Sequence, residues 1–192
     1  MPSNHSKKPP GEVRIIGGIW KRTPLLVTLA QGLRPTPSRL RETLFNWLGQ
    51  DLSGWHCADV FAGTGALGLE AASRGAAQVW MFETHAQALQ QLHRNVEKLN
   101  ATVVQCRQTD GLVGLAGFAA QSLDLIFLDP PFESACHEKA LDLARRCVKP
   151  SGWVYLEAGT PWTSSHLAQL GWHLHRNVQA GMAHAHLMQP IA

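Results

Sequence analysis

The chain has 192 residues, 45% of them hydrophobic, which is enough for one domain with a sizeable core. No apolar run approaches the roughly 20 residues that cross a bilayer, and the lysines of the opening MPSNHSKKPP precede no apolar stretch. Neither a membrane span nor a signal peptide is therefore expected; residues 1–10 read as a disordered lead and the location as cytoplasmic. The formal net charge of +3 conceals a division: residues 1–50 hold eight Lys/Arg against two acids, a net +6, and the rest holds nine against twelve, a net −3. Either the N-terminal charge marks the approach of a polyanion or it is an ordinary solvated basic segment.

Residues 11–32 read as a basic β-hairpin or arm, with β-leaning runs at Val13–Ile16 and Leu25–Val27 separated by Gly17-Gly18 and Trp20-Lys21-Arg22. Trp20 either stacks on a nucleobase while its neighbours meet phosphates, or packs the arm against the domain. Domain residues 33–192 follow. The turn Gly32–Pro37 leads into a helix with Thr36 as N-cap and Pro37 at the first helical position. Its buried stripe is Leu40, Leu44 and Leu48, helped by Phe45 and Trp47. Arg39, Glu42 and Asn46 share a second face, which is either solvated or the wall of a ligand pocket.

From Trp55 onward, strands and helices alternate. Trp55–Phe61 reads as the first core strand, ending in Asp59-Val60-Phe61, and Ala62–Glu70 (AGTGALGLE) turns into a helix running to about Arg74. Gly63 and Gly65 permit a tight turn and close backbone approach at a helix N-terminus. Gln78–Phe82 delivers Glu83 to a strand's carboxyl end, twenty residues after Gly63, where an acid can accept both hydroxyls of a ribose. A helix over Thr84–Leu99 and a strand over Thr102–Cys106 follow, with Asp110 just beyond, where it can accept from an adenine amine. Ser134–Cys147 is expected to be helical, and Lys149–Gly152 a stop before a strand at Trp153–Leu156. That strand leads to Glu157, another acid at the ligand-facing end. Thr163–Leu170 reads as helix, and Trp172–Val178 with Met182–Met188 as a terminal antiparallel hairpin. The fold class is α/β: a mostly parallel sheet covered on both faces, with its site at the strand carboxyl ends.

The stretch Leu123–Phe132, LDLIFLDPPF, stands apart. Its apolar run has the length of a buried strand and stops at an acid followed by two prolines, which cannot continue a central strand. Asp129 can accept a hydrogen bond from an exocyclic amine, the Pro130 carbonyl can accept a second, and Phe132 can stack on the ring. The bland alternative is a strand closed by a proline-rich turn. Methylation of such an amine is difficult because its lone pair is delocalised, so a site must aim the nitrogen and favour the charge that develops on it. The spacing of Gly63, Gly65 and Gly68 also fits a nicotinamide enzyme, but no second catalytic residue for hydride transfer is apparent.

The four cysteines form no C-x-x-C pair, and the ten histidines have no acid or cysteine at an established ligand spacing. Free thiols and no metal are expected.

Several pieces together resemble the bacterial 16S rRNA guanine-N2 methyltransferases. They are Arg14-Ile15-Ile16-Gly17-Gly18 with Trp20, Leu33–Thr36, Arg39 followed by Arg41–Leu48, the block Phe61–Glu70, and Asp129–Phe132. The resemblance spans residues 11–189. It implies a Rossmann-like S-adenosylmethionine-dependent methyltransferase fold and methylation of N2 of guanine 966 in 16S rRNA of the small ribosomal subunit; a monomer is expected separately, because the predicted faces need no partner. By the same resemblance, Asp59, Phe61, Gly63, Gly65, Glu83 and Asp110 hold S-adenosyl-L-methionine, with Glu83 on the ribose and Asp110 near adenine. Asp129, Pro130 and Phe132 receive the flipped guanine. Arg14, Trp20, Lys21, Arg22, Arg34, Arg39 and Arg41 face the RNA. Departures are Lys21-Arg22-Thr23-Pro24 where a basic, glycine-containing segment is common, and His184 and His186 where aromatic residues are more usual. A DNA or protein-amide methyltransferase, or an RNA-binding factor that retains the fold, remain the competing readings.

Overall fold

A computed structural model of the protein describes residues 11–27, 38–131 and 136–191. Arg34, Thr36, Pro37 and Phe132 lie outside the described residues. The hairpin β1 (Gly11–Arg14) and β2 (Pro24–Val27) forms its own two-stranded antiparallel sheet. Helix α1 (Ser38–Leu48) buries Leu40, Leu44 and Phe45, as the spacing of its apolar residues requires.

Thereafter the chain alternates: β3 (His56–Asp59), α2 (Ala66–Ser73), β4 (Gln78–Glu83), α3 (Ala86–Leu99), β5 (Val104–Gln108), α4 (Gly111–Ala116), β6 (Leu123–Leu128), α5 (His137–Cys147), β7 (Val148–Ala158), α6 (Ser164–Gln169), β8 (Trp172–Ala180) and β9 (Ala183–Pro190). The seven strands of the main sheet lie in the order β5-β4-β3-β6-β7-β9-β8. The first five are parallel, and β9 and β8 close the sheet as an antiparallel hairpin. The order reverses between β3 and β6, so a crevice opens there at the carboxyl ends. This is the expected Rossmann-like architecture.

Because β6 is central, both of its faces must be apolar, and Leu123, Leu125, Ile126, Phe127 and Leu128 are all fully buried. Leu125 and Phe127 meet the layer of α1, α2 and α3; Ile126 and Leu128 meet that of α4, α5 and α6. Cys57 and Cys147 are buried and Cys106 partly so, and no disulfide joins cysteines among the described residues.

Several boundaries shift by one to three residues from the sequence reading, and α4 is an element it did not include. Strand β5 starts at Val104. Lys149–Gly152 is no stop; β7 begins at Val148 and passes through it, with the β6–β7 register jumping from Leu123↔Val148 to Leu125↔Trp153. The irregularity accommodates Pro150, which has no N–H to give to a ladder. Gly152 lies so close to β6 that a Cβ there would sit 3.0 Å from the Asp124 carbonyl oxygen.

The arm is fastened to α2 by one buried carboxylate. Glu70 accepts hydrogen bonds from Ile16 N at 2.8 Å and Gly17 N at 2.7 Å, and from Arg74 Nε at 2.9 Å. Arg41 of α1 reaches the same carboxylate at 3.6 Å and donates to the Arg14 carbonyl at 3.1 Å. Ser73 Oγ donates to the Gly17 carbonyl at 2.6 Å and accepts from Trp20 N at 3.0 Å. Gly18 takes φ 73°, and a Cβ there would lie 1.8 Å from the Ser73 carbonyl oxygen. The RIIGG run is thus a docking segment in which Gly18 lets backbone lie on backbone and Gly17 leaves room for the Arg74 guanidinium.

Arg41, expected to face RNA, is only 2% exposed. Its guanidinium is spent on Glu70 and the Arg14 carbonyl, so it is removed from the set of RNA-facing residues. Glu70→Ala leaves Arg41 and Arg74 buried without their counter-ion and should lower the unfolding free energy by about 3–5 kcal/mol. Urea denaturation measures it; a change within experimental error would contradict the docking role.

Candidate active site

The carboxyl ends of the parallel strands open into a cavity of about 670 Å³, within the usual range for small-molecule sites. Its floor is the β3–α2 turn. Val60 N donates to the Phe127 carbonyl at 3.1 Å and Ala62 N to the Phe82 carbonyl at 2.9 Å, so the strands on either side fix where the turn begins. Gly65 caps α2 with φ 76°, a left-handed conformation that glycine adopts without steric cost.

Five acids line this cavity: Asp59, Glu83, Asp110, Asp129 and Glu157. They stand at or just past the ends of β3, β4, β5, β6 and β7, and each is placed by its strand. Asp59 is 1% exposed; its Oδ2 accepts from Gly68 N at 3.0 Å, while Oδ1 has no hydrogen-bond partner among the described residues. Burial pushes its carboxyl up to about 7; Asp129 and Glu83 add to the shift and the Gly68 amide opposes it. Glu83 accepts from Gly63 N at 3.0 Å through Oε2 and from His85 N at 2.7 Å through Oε1. It therefore ties the glycine turn to the end of β4.

Asp110 Oδ1 accepts from Leu112 N at 2.8 Å and Val113 N at 3.1 Å, an N-cap on α4 that the sequence reading did not include. Its second oxygen accepts no hydrogen bond among the described residues. Asp129, Pro130 and Pro131 all line the cavity, where the end of β6 meets the glycine turn. Glu157 is 3% exposed and accepts from the Tyr155 hydroxyl at 3.0 Å. Burial and then Asp129 push its carboxyl up to about 8, with the Tyr155 hydrogen bond opposing.

The expected cofactor residues Asp59, Phe61, Gly63, Glu83 and Asp110 thus share one cavity with Asp129 and Pro130, and Gly65 caps the adjoining helix. The remaining candidates scatter. Arg14 is exposed and pairs with Glu12 at 2.6 Å; Lys21, Arg22 and Arg39 are exposed. Trp20 is half-buried and packs against the core, which favours docking of the arm over base stacking. Arg39, Glu42 and Asn46 are exposed and none lines the cavity, so that face of α1 is solvated.

Sequence reading missed the β8–β9 turn, whose Ala180, Gly181, Met182 and Ala183 line the cavity. No local signal could have found it, because only sheet closure brings these residues back to β3 and β6. Among the described residues no group of three or more His, Cys, Asp or Glu side chains is disposed to hold a metal.

A sheet of this order, with a glycine turn after β3, an acid closing β4 and an Asp-Pro-Pro turn after β6, defines the S-adenosylmethionine-dependent methyltransferase class. The family described as Conserved hypothetical protein 95 matches residues 13–189. Ribosomal RNA small subunit methyltransferase D of Escherichia coli K12 is 37% identical over 97% of this chain and 93% of its own. That of Haemophilus influenzae is 38% identical over 77% of this chain and 79% of its own. The solved E. coli protein yhhF superposes with a TM-score of 0.80 at 36% identity, covering 95% of this chain and 99% of that one. The chain belongs to the ribosomal RNA small subunit methyltransferase D family.

Five acids around one cavity suit a ligand that carries positive charge, as S-adenosylmethionine does at its ammonium and sulfonium. Asp59 Oδ1, which makes no full hydrogen bond among the described residues although the Phe61 amide also acts on this carboxylate, is an acceptor that an ammonium group would satisfy.

The raised acids also set a pH dependence of stability. Asp59 and Glu157 have folded values of about 7 and about 8 against ordinary values of 3.8 and 4.5. The folded state therefore binds more protons, and the stability they contribute is full below the ordinary values and lost as pH rises through 7 and 8. Thermal unfolding of the ligand-free protein should fall over this window, and less steeply in Asp59→Asn; parallel slopes for parent and variant would refute the assignment.

Proposed function

We propose that the protein transfers a methyl group from S-adenosylmethionine to the exocyclic N2 amine of a guanine in 16S rRNA of the small ribosomal subunit, guanine 966 by resemblance. The observation that carries this reading is the position of the Asp129-Pro130-Pro131 turn. It lies in the same cavity as the glycine turn, at the point where strand order reverses.

Glu83, held against Gly63 N, accepts the ribose hydroxyls, and the free oxygen of Asp110 faces the adenine amine. Asp59 takes the ligand's ammonium, beside Phe61 and the turn of Gly63 and Gly65. Bound there, S-adenosylmethionine supplies an electrophilic methyl group. Asp129 and the Pro130 carbonyl accept the two amine hydrogens, which fixes the direction of the nitrogen lone pair and favours the positive charge that develops. Asp129 can also take the proton the amine must lose as the carbon–nitrogen bond forms. Phe132, two residues past Pro130, is assigned the stacking of the extruded base, worth about 1–3 kcal/mol.

The exposed Arg14, Lys21, Arg22 and Arg39 supply phosphate contacts, with Arg34 completing the set in this reading. The family membership and the net charge of +6 over residues 1–50 support an RNA partner, with the protein acting in the cytoplasm as a monomer.

Labelled methyl transfer to small subunits that lack the modification, followed by nucleoside digestion, tests the proposal. The parent should yield N2-methylguanosine, and Asp129→Ala should lower the rate by about 100- to 1,000-fold while still binding cofactor. Label in another nucleoside, or a variant as active as the parent, would contradict it.

A further inference from the structure

Of the five acids around the cavity, Glu157 has no part in the reading above. Its position gives it one. Strands β5, β4 and β3 carry the elements assigned to the cofactor, Asp129 closes β6, and Glu157 closes β7, one strand further on. A group at that end of the row meets what approaches from the far side of Asp129, which is the acceptor base.

Glu157 is also held in place. The Tyr155 hydroxyl donates to its Oε2 at 3.0 Å, and the fully buried Tyr155 ring packs edge-on against Phe127, centroids 6.5 Å apart. With Oε2 engaged, Oε1 is the oxygen left for the cavity. Across the sheet Glu157 pairs with Ala185 of β9, whose methyl group has no polar atom to offer it.

We propose that Glu157 is the specificity-determining residue of the base pocket: its Oε1 accepts the N1–H of guanine while Asp129 accepts from the neighbouring N2. The inference rests on the reading of N2 of guanine as the target. Guanine presents two adjacent donors on its Watson–Crick edge, whereas adenine and cytosine present an amine beside a ring nitrogen that accepts. Two neighbouring carboxylates therefore match guanine and repel the acceptor of the other bases.

Burial and Asp129 hold the Glu157 carboxyl at about 8, so at neutral pH it carries a proton, and guanine's two N–H donors take that proton's place on binding. Protonated Glu157 offers an O–H instead, which suits a ring acceptor. Asp129 from β6 and Tyr155 from β7 are the titratable groups acting on it. On β9, His184 and His186 occupy the positions flanking Ala185 and point to the opposite face, where His186 meets the Leu156 carbonyl and Trp162 N. In the helix layer on the Glu157 side, Arg41, Glu70 and Arg74 are engaged with one another.

The test uses small subunits reconstituted with 16S rRNA that carries either guanine or 2,6-diaminopurine at the target position. Both bases have the N2 amine, but diaminopurine has an acceptor at N1. The ratio of kcat/KM for guanine over diaminopurine, with methyl located on N2 by digestion, is followed between about pH 6 and about pH 8.5, below the ionisation of guanine's own N1–H. Taking a ratio cancels ionisations common to both substrates, including that of Asp59. In the parent the ratio should rise about tenfold per pH unit and level off once Glu157 is ionised. In Glu157→Gln it should be low and flat. In Tyr155→Phe, which loses the donor that favours the carboxylate, the rise should move to higher pH. A pH-independent ratio in the parent, or a parental profile in Glu157→Gln, overturns the proposal. Methyl on N2 of neither base in the parent overturns the underlying reading instead, and the proposal falls with it.

Discussion

The carboxylate of Glu70 is the point on which the molecule turns. It belongs to α2, the helix that follows the glycine turn, yet its hydrogen bonds run to Ile16, Gly17, Arg74 and the neighbourhood of Arg41. One buried anion thus joins the arm, α1 and the cofactor-side helix. The arrangement is costly to break, because either arginine without its partner becomes an uncompensated buried charge. Arg74 is also stacked over the Phe45 ring at 4.6 Å, and Phe45 meets Phe127 of β6, so the link continues into the core strand that ends at Asp129. The arm is consequently held in register with the site.

A second constraint is electrostatic. Strand order places five carboxyl groups around one cavity; burial raises Asp59 and Glu157, and the neighbouring acids add to the shift. Such a cluster is unfavourable when empty and becomes favourable when cationic groups and N–H donors enter it. In the proposed reading the same row divides into two halves at the switch between β3 and β6: acids beside the glycine turn for a charged cofactor, Asp129 and Glu157 for an amine-bearing base. The fold supplies the order and the residue types supply the division.

Much of this was legible in the chain itself. A central parallel strand must be largely apolar, and five of the six residues of Leu123–Leu128 are, Asp124 near its start being the exception; an acid followed by two prolines must end it, and does. Glu83 and the glycine turn stood at the spacing that a β-α-β crossover imposes, and they are in contact through Gly63 N. Arg41 was misread because a basic residue near other basic residues looks like surface, and its partner Glu70 is twenty-nine positions away in a different helix. The cap role of Asp110 and the link from Tyr155 to Glu157 depend on local geometry that residue spacing does not encode. The β8–β9 turn enters the site solely through sheet closure, and no periodicity in Trp172–Met188 reports that.

The most direct measurement of the central claim, that this row of acids divides into a cofactor half and a base half, is a crystal structure with bound S-adenosylhomocysteine. The account places the ribose hydroxyls within hydrogen-bonding distance of Glu83 and the ammonium on Asp59, with the thioether directed toward Asp129 and the space before Glu157 left open. A ligand lying against Glu157 and the β8–β9 turn, or one that leaves Glu83 untouched, would contradict it.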